Sequence, residues 1–148
     1  MEESNMLVIT PRVIVEAPSE IEGLRVENNY QAIREAMDEG ETIMHWEGGF
    51  SMHPILMNGE YCKIVPLQKC DGIDKGDAVF CAFNDKEGVK HYMVHRCTDI
   101  VTRKDENGND EKWYRIESTW GDLYGWTNEV YGKALSTNVF EKAALNDM

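Results

Sequence analysis

The chain has 148 residues, enough for one domain with a sizeable core, and its 42% apolar, 9% aromatic and 28% charged residues are those of an ordinary globular protein. Fifteen Lys and Arg against 27 Asp and Glu leave a formal net charge of −12, which argues against nucleic-acid binding and suits docking on a basic partner. No run approaches the ~20 apolar residues of a membrane span and no basic-then-apolar leader opens the chain, so no membrane span is expected and a cytoplasmic location is the simplest reading.

Residues 6–17 (MLVITPRVIVEA) are rich in Val and Ile, with Pro11 breaking them, which predicts an edge strand or two short strands. Residues 18–20 read as a linker. Asn28-Asn29 then offers an N-cap to a segment whose Tyr30, Ile33, Ala36 and Met37 recur at helical spacing, and Gly40 suits the C′ position. This is one short amphipathic helix. A DNA-reading helix-turn-helix would need a second helix and basic residues.

Residues 42–46 form a strand running into Gly48-Gly49; after a turn at Ser51, Ile55 and Leu56 are apolar and Gly59 stops the segment. Strands follow at 61–67 and 78–83, separated by the turn chemistry of Asp71-Gly72 and Lys75-Gly76-Asp77. A polar hairpin loop at 84–88 returns into a strand at 89–97. Alternation there puts Val89, His91, Met93 and His95 on one face, and Lys90, Tyr92, Val94 and Arg96 on the other. Strands at 99–103 and 113–118 flank a charged loop with Asn107-Gly108 at its tip. Residues 121–128 read as a turn-rich connector, 130–135 as a last strand and the tail as a short helix or a frayed end. Many short strands with one short helix make a mainly β domain. Residues 1–47 are expected to form a packed arm of strands and helix, and 48–148 the main domain.

Of the four cysteines, none forms a C-x-x-C pair, and Cys62, Cys81 and Cys97 lie in apolar strand-like runs, so buried reduced thiols are expected rather than disulfides or zinc. The His91/His95 interval would suit a metal on a helix, but this segment alternates like a strand. No metal and no cofactor are expected.

Four boxes, in order, carry the chemistry. The run G-x-S-M-x-P-x-L-x-x-G-E from Gly49 to Glu60 resembles the nucleophile box of type I signal peptidases and LexA-like self-cleaving repressors. Lys75-Gly76-Asp77-Ala78-Val79-Phe80 is similar to the second box of that superfamily, Val94-His95-Arg96 falls where it carries its general base, and Gly121-Asp122 with Tyr131-Gly132-Lys133-Ala134 resembles its closing elements. The resemblance spans residues 48–135 and implies a signal-peptidase/LexA-like β domain. It also implies a soluble serine endopeptidase, a hydrolase acting on a protein or peptide by acyl transfer. In that reading Ser51 attacks, His95 takes and returns its proton, Asp122 orients the imidazole, and backbone N–H groups around Gly49 and Ser51 face the oxyanion.

The chain also departs from that pattern. Gly49 stands where signal peptidases have a serine, His95 where LexA-like proteins have a lysine, and Asn128 where the endoplasmic-reticulum type has a further Asp; no Ala-Gly or Cys-Gly bond precedes Ser51. The bland readings are that Ser51 caps a turn, that His95 is a core histidine, and that Asp122 is a turn residue. His91, on the same strand face, would replace His95 as the partner of Ser51 if the register slipped by two. The alternative function is a catalytically silent structural or interaction protein on the same fold, such as a phage virion component, in a homo-oligomer or larger assembly. An exposed subset of the late aromatics Trp113, Tyr114, Trp120, Tyr124, Trp126 and Tyr131 would mark a partner surface.

Overall fold

The computed structural model describes residues 6–10, 13–16, 18–47, 60–118 and 123–136. At the N-terminus, β1 (Met6–Thr10) and β2 (Val13–Glu16) pair antiparallel as a two-stranded ribbon, the two short strands expected on either side of Pro11. The expected linker at 18–20 instead leads into a miniature hairpin, β3 (Glu20–Ile21) and β4 (Leu24–Arg25). Its turn residues Glu22 and Gly23 both have positive φ, at 53° and 79°, the backbone that a two-residue hairpin turn demands.

Helix α1 (Tyr30–Asp38) starts where Asn29 predicts. The Asn29 Oδ1 accepts the Ala32 N–H at 3.1 Å, satisfying one of the free donors of the first turn. The helix ends on Gly40, at φ 75°. The Glu41 N–H reaches back to the Ala36 carbonyl at 2.8 Å and the Gly40 N–H to the Met37 carbonyl at 3.1 Å, which is the paired closure of a Schellman stop.

The body of the molecule is a seven-stranded antiparallel sheet built from β5 (Ile43–Glu47), β6 (Glu60–Pro66), β7 (Ala78–Asn84), β8 (Lys90–Lys104), β9 (Asp110–Glu117), β10 (Leu123–Thr127) and β11 (Val130–Ser136). Their order across the sheet is β10-β9-β8-β7-β11-β6-β5, so β11 inserts between two strands that precede it in the chain. One row of Cα partners crosses the whole sheet, from Leu123 through Glu117, Arg96, Ala78, Ala134 and Ile64 to Ile43. The mainly β expectation is met.

Two expectations need correction. The strands read at 89–97 and 99–103 are one strand, β8, whose register against β9 shifts between Cys97 and Asp99. A bulge of this kind bends a strand without ending it, and the break in alternation it causes looks like a boundary in sequence. Residues 121–128, read as a connector, contain β10. Its strand signal is diluted by Gly125, which takes φ 118° beside a second register shift.

Alternation along β7 feeds two cores. On one face Ala78 and Phe80 join Ile43, Cys62, Ile64, Val94 and Ala134 beneath Ile33, Ala36 and Met37 of α1. On the other, Val79 and Cys81 join Cys97, Tyr114, Ile116 and Val130, with Leu67, Ile73 and Met93 packed at the margin. A strand buried on both faces needs a continuous apolar run, which is what residues 78–83 supply. Residues 30–45 contribute to the first core, so α1 and β5 are integral to the packed body. Cys62, Cys81 and Cys97 are buried, as expected, and Cys81 and Cys97 are free thiols. Burial pushes Cys97 up to about 11 and raises Cys81 as well, so both stay neutral.

Gly132 marks a close approach of helix to sheet. A Cβ there would stand 2.7 Å from the Met37 Sδ and 2.8 Å from the Val65 carbonyl oxygen. Gly132→Ala is expected to destabilise the fold by about 1–3 kcal/mol, read as a lower midpoint in denaturant unfolding; an unchanged midpoint would show that α1 does not sit this close.

Candidate functional site

Of the expected catalytic residues, His95 lies among the described residues; Ser51, Gly49 and Asp122 lie outside them. His95 sits on β8 opposite Val79, which is opposite Lys133, which is opposite Val65. These are the positions next to the row that spans the sheet. Leu123, directly after Asp122 in the chain, belongs to that row, as does Arg96, directly after His95. The described residues that flank the Ser51 segment, Glu47 and Glu60, are Cα partners on β5 and β6.

The imidazole of His95 is half-buried against Tyr124, their ring centroids 4.4 Å apart with planes 19° from parallel. The sheet makes this contact through the bulge in β10. Leu123 pairs with Glu117 and Gly125 with Ile116, so Tyr124 is the extra residue, and bulges re-aim side chains in this way. No sequence pattern announces the contact, because it joins β10 to β8 across β9. The Nδ1 of His95 is buried and has no hydrogen-bond partner among the described residues. Burial lowers the pKa of the ring below its ordinary value of about 6.5, which keeps the imidazole neutral, and so basic, at neutral pH.

His91, Lys90 and Lys133 are differently committed. His91 is exposed, and its Nε2 lies 2.8 Å from the Asp85 Oδ2 in the β7–β8 turn. In the β7–β8 hairpin Phe83 faces His91 and Val79 faces His95. Lys90 is ion-paired with Glu129, whose hydrogen bond raises its pKa. Lys133, in the same row as His95, is nearly buried between Asp77 at 3.2 Å and Asp71 at 3.5 Å. Burial opposes its charge, but the bond to Asp77 and the field of both carboxylates hold its pKa above the usual value. A lysine must lose its proton to act as a base, so these two cations suit structural ion pairs. Neither this pairing of Lys133 nor the cover provided by Tyr124 follows from a local pattern, since each joins residues far apart in the chain.

A second feature lies at the sheet edge. Tyr124 and Trp126 of β10 are 41% and 38% exposed, an exposed subset of the late aromatics that would mark a partner surface, and Leu123 beside them is 56% exposed. No described helix is long and apolar enough to cross a membrane, and no group of three or more His, Cys, Asp or Glu side chains among the described residues could hold a metal ion.

Comparison with protein-family models, with curated proteins and with solved structures gave no match.

Proposed function

We propose that the chain is a serine endopeptidase-like hydrolase on a signal-peptidase/LexA-like β domain, with Ser51 as nucleophile and His95 as its base. The observation that carries this reading is the state of His95: neutral through burial, held by Tyr124, and with a ring nitrogen left without a partner among the described residues. A serine hydroxyl near neutral pH needs such a base to take its proton as it attacks. His95 accepts the Ser51 proton while Ser51 Oγ adds to the scissile carbonyl, then returns that proton to the leaving amine; water deacylates the enzyme by the same route. Asp122 orients the imidazole, and the backbone amides at Gly49 and Ser51 receive the developing oxyanion. Leu123 and Arg96, the chain neighbours of Asp122 and His95, share one row of the sheet, in keeping with that pairing.

The second reading, a catalytically silent interaction module such as a virion component, is favoured by the exposed apolar edge of β10. A fluorophosphonate probe separates the two. Labelling of the folded chain at Ser51, lost in Ser51→Ala, is the expected result; a folded chain that takes up no label selects the silent module.

A further inference from the structure

We propose that this chain self-associates by arm exchange, the N-terminal ribbon β1–β2 of one copy adding to the outer edge of β10 in another. The inference stands apart from catalysis and draws on three observations.

The two edges of the large sheet are treated differently. Along the outer side of β5, Val26 makes a parallel bridge to Met44, the Glu27 N–H bonds the Met44 carbonyl at 2.8 Å, and the Trp46 N–H bonds the Asn28 Oδ1 at 2.9 Å. That edge is capped. Along β10, β9 is the one neighbouring strand among the described residues, and its outward positions include exposed Leu123, Tyr124 and Trp126. Residues 123–127 (LYGWT) hold no charge and no proline, the residues by which a sheet edge is commonly protected from another chain.

The ribbon has the complementary need. Its strands read MLVIT and VIVE, apolar at alternate positions of both parities, and they pair with each other and with no other strand among the described residues. A two-stranded ribbon alone is marginally stable in water, and one that is apolar at both parities calls for a neighbour.

The geometry of attachment makes that neighbour a second copy. The Ser19 carbonyl accepts the Val26 N–H at 3.0 Å, and Val26 is bridged to Met44, so the root of the ribbon is held at the β5 edge. Between Glu16 and Ser19 the chain spans at most about 10 Å. The sheet from β5 to β10 is six strand spacings wide, roughly 29 Å. Pairing through β1 adds two strand spacings to the tether between Glu16 and Ser19, a reach of about 20 Å in all, short of the width of the sheet; within one copy the ribbon pairs with no strand of the sheet among the described residues.

Light scattering on the full chain tests this. The expected mass is a multiple of 17.0 kDa. A ribbon variant, Val8→Lys with Ile14→Lys, and an edge variant, Leu123→Lys with Trp126→Lys, should each run at the mass of one chain. Mixing the two should restore association, since one keeps an intact edge and the other an intact ribbon; restoration also shows that both variants fold. A monomeric full chain, an oligomer indifferent to either pair of substitutions, or two monomeric variants that fail to associate on mixing would each overturn the proposal.

Discussion

Replacing His95 with glutamine is expected to slow fluorophosphonate labelling, and hydrolysis of any peptide substrate, by roughly 10²–10⁴-fold, the range for loss of a general base. The pH dependence gives the sharper test. Because burial lowers the pKa of His95, the wild-type rate should hold level through neutral pH and fall only as the imidazole gains its proton, with a midpoint below about 6.5. His95→Gln should lose that acidic limb while keeping its fold. A wild-type midpoint above the ordinary histidine value, or a variant that labels at the wild-type rate, would remove His95 from the mechanism. The same shift has a sign for stability. A histidine whose folded pKa lies below its unfolded pKa binds its proton more readily when unfolded, so it costs nothing at neutral pH. It begins to destabilise the fold as pH falls through about 6.5, and the penalty is complete below the folded pKa. His95→Gln should therefore flatten the acid side of the stability profile.

Phe80→Ala is expected to have the largest effect on the fold, about 3–5 kcal/mol, a large fraction of the roughly 5–15 kcal/mol that holds a domain together. Phe80 is fully buried in the middle of β7. Its ring stacks on Tyr92 with centroids 5.6 Å apart and planes 7° from parallel, and it also meets Tyr30 at 5.9 Å and Tyr131 at 6.1 Å. Tyr131 in turn carries the Arg34 guanidinium 3.8 Å above its ring, so the cavity would open between sheet and helix at the point where they are joined. Val89→Ala, at a 55% exposed position, should stay within about 0.5 kcal/mol and serves as the control. Denaturant unfolding of the two variants side by side checks the contrast; equal midpoints would mean that the aromatic cluster is not the centre of the core.

What could be read from sequence is what short-range physics controls. The Asn29 cap, the Gly40 stop and the apolar face of α1 follow from backbone groups satisfied within a turn or two. The run 78–83 is apolar without alternation, and β7 is buried on both faces. The alternation of 89–97 puts His91, Met93 and His95 on one face, and their Cα partners Phe83, Cys81 and Val79 belong to one core.

What the sequence could not supply depends on partners far along the chain. Whether 121–128 is a connector or a strand is decided by β9, which offers an edge that a Gly125 bulge can follow. Two apparent strands are one because β9 tolerates a register shift opposite Thr98. The place of β11 between β6 and β7 reflects which apolar surfaces meet, and no local pattern encodes it. The composition and four ordered boxes already pointed to an acidic, mainly β protein with a serine and a histidine to bring together. Only the tertiary structure put Tyr124 on His95, set Lys133 between two carboxylates, capped one sheet edge and left the other with no further strand among the described residues, because each of those arises from strand pairing across many residues.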